Sequence, residues 1–328
     1  MGVFWTTGGL FSCGLCYNQQ YITPQNTYIL GVDNFERRYV QWSAVGGRRS
    51  AVGGESDSSS KVIPFRDFCK FCEDIITQFN LSDGARQYYH EHSLRLYNTV
   101  KFVVKVTGFK KGLTLLSLGS GIAIVEAYLS KFMGFKCTVL DLPGAEKGFK
   151  AYYDWAGFDC IWADIDYYSS ESGKIYDVII SLENIEHIHA APSEYIAKFA
   201  GAVAHDGYFV ISTPNMGSFA HLYRIAAMMP TLPVPEKTFD LNSHVHYREY
   251  MPCEIIEAYE KNGLTYRARA YTNESPAFRK YDTSRRSLHY VKNPVMNFVM
   301  RWSIQPLMAL IGVIPRFRYD MILAAQKV

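Results

Sequence analysis

Residues 113–143 read LTLLSLGSGIAIVEAYLSKFMGFKCTVLDLP, and this stretch decides the fold. A short apolar run ends at Gly119-Ser120-Gly121, a helical pattern follows from Ile122 to Met133, and a second apolar run, FKCTVLDL, ends on Asp141. Strand, glycine turn, helix and strand in this order form a βαβ unit, whose two strands must be parallel. Glycines at the first turn let the backbone come close to a ligand and leave helix N-terminal N–H groups pointing at it. Asp141, about twenty residues beyond the glycines, stands where a carboxylate can accept hydrogen bonds from both hydroxyls of a ribose.

The alternation continues outward. A helix near Ala145–Trp155, a strand FDCIWAD, a strand YDVIISL, a helix Ala191–Ala204 and a strand GYFVIST follow. Five strands, each met by a helix or turn at its carboxyl end, predict an α/β doubly wound sheet with ligands at those ends. Asp164 closes the third strand as Asp141 closes the second and is placed to meet an adenine amine. Either aspartate alone would equally suit a helix N-cap. The nucleoside contacts expected at these ends are Gly119, Ser120, Gly121, Asp141, Leu142, Asp164, Ile165 and Leu182.

On the amino-terminal side, Phe65, Phe68, Cys72, Ile75 and Phe79 recur at helical spacing, and a second helix is expected around His92–Val106. Residues 1–60 lack sustained periodicity, and Gly46–Ser60 (GGRRSAVGGESDSSS) reads as a flexible linker. After Pro214 an irregular segment to Tyr250 is expected, then a helix Pro252–Asn262, a strand LTYRARAYT and a final strand YDMILAAQKV returning to the sheet. The expected division is an extension over 1–60, a helical cover over 61–112, and a catalytic-type domain over 113–328 with an insertion at 275–315.

With 48% hydrophobic and 20% charged residues, the chain can bury a large core, which excludes disorder throughout. Net charge is only +3, so the whole molecule is no polycation. Nine Lys/Arg against two Asp from Ser275 to Val328 put +7 in the last part and leave −4 elsewhere. Asn297, Arg301 and Gln305 would form a narrow polar stripe among Val295, Phe298, Val299, Trp302, Ile304 and Leu307, preceded by Arg279, Lys280, Arg285, Arg286 and Lys292. That combination suits an anionic membrane surface, and a cap folded inward is the alternative. Seven scattered cysteines fit a reducing compartment better than a disulfide framework. Cys13/Cys16 and Cys69/Cys72 are too far apart for a zinc ribbon, so thiols in apolar surroundings are expected. No basic n-region precedes an apolar stretch, and Arg301, Gln305 and Pro306 interrupt the longest apolar run, so a cytoplasmic protein, peripheral to a membrane at most, is expected.

LLSLGSGIA, VLDLP, YDVIISLENIEHI, DGYFVISTPN and HVHYREYMPCEIIEAYEKNGL resemble, in order and spacing, the class I S-adenosylmethionine-dependent methyltransferases. The resemblance is nearest to a bacterial group associated with surface polysaccharides and lipid-linked sugars, whose late motif reads roughly H-x-R-E-Y-T. It implies a Rossmann-like seven-stranded methyltransferase sheet and S-adenosylmethionine as cofactor. Two departures stand out. The family's acidic residue two before the first glycine, which the resemblance places at the cofactor's methionine amino group, is Ser117, and its third glycine is Ala123.

Glu183, Glu186 and His187 form E-x-x-E-H, whose spacing in a helical turn brings two carboxylates and an imidazole to one face. The motif is similar to the metal-binding set of ubiquinone-pathway O-methyltransferases and small-RNA 2′-O-methyltransferases, in which a downstream histidine completes the site. His244 and His246 are the candidates for it here. Oxygen ligands favour Mg²⁺, and imidazoles shift the preference toward Mn²⁺ or Zn²⁺. An orienting Glu186–His187 pair without metal is the alternative. The expected catalytic residues are His187, Glu186, His244 and His246, with Asn215, Arg248 and Tyr250 on the acceptor side. The reaction expected is O-methylation of a small molecule, sugar or lipid-linked glycan. A catalytically inactive binding protein, prompted by Ser117, and a metal-dependent ubiquinone-type or RNA 2′-O-methyltransferase are the alternatives. Nucleic acid is disfavoured because residues 1–274 are net acidic, and a nicotinamide-linked oxidoreductase because position 124 is Ile where a third glycine would stand.

Overall fold

The computed structural model describes residues 28–29, 62–168, 173–226, 231, 246–273 and 314–328. Its strands are β1 (Tyr28–Ile29), β2 (Thr114–Leu118), β3 (Lys136–Asp141), β4 (Asp159–Trp162), β5 (Tyr176–Leu182), β6 (Val203–Pro214), β7 (Leu264–Thr272) and β8 (Asp320–Lys327). The helices are α1 (Phe65–Gln78), α2 (Asp83–Val106), α3 (Ile124–Met133), α4 (Glu146–Ala156), α5 (Pro192–Ala200), α6 (Phe219–Ala226) and α7 (Pro252–Lys261). The strands lie in the order β1-β7-β8-β6-β5-β2-β3-β4. β8 runs antiparallel to both of its neighbours, β6 and β7, and the other pairings are parallel. The seven-stranded doubly wound sheet expected from the sequence is present, with the two-residue β1 added at the β7 edge.

Both faces of the sheet are covered, which is why its central strands read as continuous apolar runs. Alternation along each strand sends Leu115, Val139, Val178, Ile180 and Val210 to a core shared with α1 to α4, where Phe68, Val103, Val125, Tyr128 and Tyr152 are buried. Leu116, Leu140, Ile179, Phe209 and Ile211 turn the other way, toward Tyr195, Ile196 and Phe199 of α5 and Ile255 and Tyr259 of α7. Tyr152 and Tyr153 are buried in the core, whereas Tyr167 is exposed. Because β2 connects toward β3 while β5 lies on its other side, the strand order reverses between β2 and β5. The crevice above their carboxyl ends is the ligand position of such sheets.

Three expectations need correction. The second helix begins at Asp83 rather than near His92, capped by Ser82 Oγ accepting from Ala85 N at 3.2 Å. Its first turns bury Ala85, Tyr89 and His92, an i, i+4, i+7 stripe of only weakly apolar residues that hydropathy passes over. Within the supposedly irregular stretch after Pro214 lies α6. β6 starts four residues earlier than GYFVIST suggests, with Asp206 in the left-handed region (φ +62°). Cys69, Cys72, Cys137, Cys160 and Cys253 are free thiols, and burial pushes the Cys72 and Cys137 thiols up. The Gly46–Ser60 linker, Cys13, Cys16, His244 and residues 275–313 of the basic insertion lie outside the described residues.

Candidate active site

The glycine turn after β2 is held in a conformation that its sequence makes affordable. Gly119 (φ +67°) and Gly121 (φ +52°) occupy the left-handed region, where a side chain is strained. A Cβ on Gly119 would also fall 2.7–2.9 Å from the side-chain atoms of Asn184, which donates from Nδ2 to Leu118 O and Tyr195 Oη. Ala123, standing where the family has a third glycine, is left-handed too (φ +52°), and Tyr152 Oη donates to its carbonyl at 3.0 Å. Tyr153 Oη donates to Gly121 O, so two adjacent α4 tyrosines pin the turn from below.

Asp141 faces this turn from the end of β3. Its Oδ2 accepts from Gly121 N at 2.7 Å and its Oδ1 from Leu142 N at 2.8 Å. Asp164 Oδ1 accepts from Asp166 N at 2.9 Å, closing a turn after β4. Ser117 is buried, and its hydroxyl donates to the equally buried Glu126 of α3. Burial lifts the Glu126 carboxyl to about 7; the Ser117 hydrogen bond opposes that shift and the charge of Asp141 adds to it.

Across the crevice, β5 ends at Leu182 and Glu183 takes a positive φ of 50°, which swings the chain into a 3₁₀ turn, Ile185–His187. Glu183 Oε2 pairs with Arg95 Nη1 of α2 at 2.7 Å, and its Oε1 accepts from Ser212 Oγ at 2.7 Å. Glu186 is buried. Its Oε2 accepts from Thr213 Oγ1 at 2.9 Å, while Oε1 has no hydrogen-bond partner. Burial raises its carboxyl well above the usual range, and the Glu183 charge adds to the rise. Glu186, His187 and His246 each offer a ligand atom, all within 4.8 Å of one another. The His187 and His246 rings meet edge to face, 4.9 Å between centroids. Residues 246–250 are fastened there by Tyr247 N donating to Glu186 O at 2.8 Å.

Behind His246 stands Glu249, which sequence reasoning passed over. Its Oε1 lies 3.0 Å from His246 Nδ1 and its Oε2 lies 2.5 Å from Nε2 of the fully buried His221 on α6. Burial alone would raise the Glu249 carboxyl, but the hydrogen bonds and charges of His221 and His246 outweigh it and hold it at about 2. His221 Nδ1 in turn meets Ser218 Oγ at 2.7 Å.

A family model described as a methyltransferase domain matches residues 87–268, more than half of the chain. The chain belongs to this methyltransferase family. The "Ubiquinone biosynthesis O-methyltransferase" of Rickettsia prowazekii (strain Madrid E) is 30% identical over 147 residues, which are 44% of this chain and 56% of that protein. The protein of the same description from Pseudoalteromonas translucida (strain TAC 125) is 28% identical over 204 residues, 61% of this chain and 82% of that one. Among solved structures, Haemonchus contortus phosphoethanolamine N-methyltransferase 2 in complex with S-adenosyl-L-methionine aligns with a TM-score of 0.46 at 15% identity, covering 81% of this chain and 60% of that one.

Within this methyltransferase fold, the expected donor residues Gly119, Ser120, Gly121, Asp141, Leu142, Asp164, Ile165 and Leu182 all stand at the carboxyl ends of β2 to β5 or in the turns that follow them. Ser117 and Ile165 are buried, and Leu142 is exposed. Glu183, expected to converge with Glu186 and His187, is instead committed to Arg95 and Ser212, because its left-handed backbone turns it out of the 3₁₀ face. His246 takes the converging place. Two acceptor-side expectations also need correction. The Asn215 amide is used up by Arg316 O, Arg318 O and Gly217 N, and Tyr250 is buried in the core beside α7. Arg248 pairs with Glu254 at the surface. Arg95 carried no signal, because the same helix also holds Arg86, Lys101 and Lys105; Glu249 lay unread inside the H-x-R-E-Y stretch; His221, 28 residues from its partner, had none either.

Proposed function

We propose that this methyltransferase moves the methyl group of S-adenosylmethionine to a hydroxyl oxygen of a small molecule, sugar or lipid-linked glycan. The observation that carries the reading is the convergence of Glu186, His187 and His246 across the strand-order reversal from the glycine turn. The donor would lie over Gly119–Gly121 with its ribose toward Asp141, and in-line displacement gains chiefly from holding the two reactants close and aligned. A hydroxyl, unlike an amine, must also shed a proton as the new C–O bond forms, so a group that takes up the proton is needed beside it. Two imidazoles next to a buried carboxylate supply that function, and the O-methyltransferase descriptions of the two relatives support an oxygen acceptor.

The same three residues fit a divalent cation. Glu186 Oε1 is buried without a hydrogen-bond partner, and one oxygen with two nitrogen donors suits Mn²⁺ or Zn²⁺ as well as Mg²⁺. A cation held there would acidify the acceptor hydroxyl. Glu183, neutralised by Arg95, stands outside that set. The basic, apolar stretch 275–315 supports an acceptor presented at a membrane surface; no helix among the described residues is long and apolar enough to cross one.

The test is methyl transfer from labelled S-adenosylmethionine to a panel of phenols, nucleotide sugars and lipid-linked sugars, with amines as the contrasting set and chelator or Mn²⁺ added in parallel. Transfer to a hydroxyl that fails in the His187→Ala variant is expected. Donor binding without transfer to any hydroxyl, or transfer to amines alone, overturns the proposal. Full activity in chelator removes the cation and leaves the imidazoles to act alone.

A further inference from the structure

Behind His246, away from Glu186 and His187, stands a second buried carboxylate, Glu249. Glu249 bridges two imidazoles with opposite surroundings: His221 is entirely enclosed under α6, and His246 is partly exposed at the crevice. The Ser218 hydroxyl and the Asn215 carbonyl lie 2.7 and 3.2 Å from His221 Nδ1, and His221 Nε2 lies 2.5 Å from Glu249 Oε2. The other oxygen, Oε1, is then left for His246 Nδ1 at 3.0 Å. A carboxylate can only accept, so the nitrogen facing it must carry the proton. The ring's lone pair is thereby assigned to Nε2.

We infer that Glu249 is a positioning residue that, through Oε1, fixes His246 as its Nδ1–H tautomer and locks the ring's orientation. The inference rests on the proposed methyl transfer to oxygen, but it does not depend on whether a cation is bound. Taking a proton from the acceptor and ligating a metal both require a lone pair on a correctly turned imidazole nitrogen, and a carboxylate hydrogen-bonded to the opposite nitrogen supplies that in either case. The chain's own layout supports a dedicated arrangement. Residues 246–250 have no helix or extended strand to stiffen them, and the Tyr247–Glu186 hydrogen bond fixes their backbone but not the His246 ring.

The experiment uses the full chain labelled with ¹⁵N-histidine, the His246 signals being assigned by their loss in His246→Gln. Long-range ¹H–¹⁵N spectra report which ring nitrogen bears the proton. A single Nδ1–H pattern is expected for His246 in the native chain, and a mixture of tautomers in Glu249→Gln and Glu249→Ala. His221→Asn separates positioning from simple packing: it should lower the unfolding midpoint yet leave the His246 pattern unchanged. With a hydroxyl acceptor in hand, Glu249→Gln should lower kcat about 10- to 100-fold, with the Kd for S-adenosylmethionine held within twofold, and Glu249→Asp should recover part of the loss. A native tautomer pattern persisting in a folded Glu249→Gln or Glu249→Ala chain overturns the inference, as does a spectrum that moves equally in His221→Asn. The spectra need no acceptor, so a chain that shows the Nδ1–H pattern but methylates no hydroxyl would defeat the proposed function and leave the positioning intact.

Discussion

Replacing Gly119 with alanine tests the donor turn at its tightest point. Two costs add there. An alanine held in the left-handed region costs about 1–2 kcal/mol, and its methyl group would press on the Asn184 side chain at 2.7–2.9 Å, an overpacking cost of about 1–3 kcal/mol. Asn184 cannot simply swing away, because it donates to Leu118 O and Tyr195 Oη. Gly119→Ala should therefore lower unfolding stability by about 2–5 kcal/mol. Asn184→Ala opens space for the methyl group, so in that background only the backbone cost of about 1–2 kcal/mol should remain. Urea denaturation of the four chains of this double-mutant cycle measures the difference, and donor calorimetry on the same chains reads the effect on the ligand side. A Gly119→Ala cost that is the same in both backgrounds would refute the steric part of the reasoning. A cost below about 0.5 kcal/mol would refute the backbone part as well.

Three further outcomes are expected. Asp141→Ala should weaken S-adenosylmethionine binding by about 1.5–3 kcal/mol, the range for hydrogen bonds to a charged group, and unchanged affinity by calorimetry would place the ribose elsewhere. Arg95→Met strips the mostly enclosed Glu183 of its cation, leaving it the Ser212 hydroxyl alone, and should cost about 3 kcal/mol of stability; the Arg95→Met/Glu183→Gln chain should recover part of it, and an unchanged denaturation midpoint in the single variant would discount the pair. Glu126, lifted to about 7, binds a proton in the folded chain that the unfolded chain releases near 4.3. The stability it contributes is thus full below pH about 4.3 and is lost as pH rises through 7, about 4 kcal/mol in all. Glu126→Gln should flatten that slope, and an identical pH dependence in the variant would overturn the assignment.

The donor half of the molecule was legible because its information is local. LTLLSLGSG and VLDL carry their own strand and turn chemistry, and burial on both faces of the sheet writes itself as unbroken apolar runs. α6 escaped notice because FAHLYRIA stands among residues without a strong pattern, and the start of α2 because its inner face is built from Ala85, Tyr89 and His92 rather than from aliphatic side chains. The acceptor half depends on contacts across long stretches of chain. Arg95 meets Glu183 over 88 residues, and no periodicity connects them. Glu183 illustrates a different failure: E-x-x-E-H spacing converges only if all its residues are helical, and one left-handed φ at the head of the motif turned the first glutamate away. Asn215 and Tyr250 were assigned outward roles from polarity and position, whereas the chain uses both to join β6 to the segment beyond α6 through their β-bridge.

β8 has an assembly consequence. It enters between β6 and β7, and among the described residues β7 pairs otherwise only with the two residues of β1. The donor turn needs only β2, β3 and β5, whose pairings span modest separations, so it can form early. His246 and Glu249 lie between β6 and β7 in the chain, and β7 joins β6 in the sheet only through residues 320–327, which pair with residues such as Tyr208, more than a hundred positions back. Contacts of such long range are slow to form. The chain should therefore acquire the two halves of its site in sequence, becoming able to hold a nucleoside before it can place an imidazole against the acceptor.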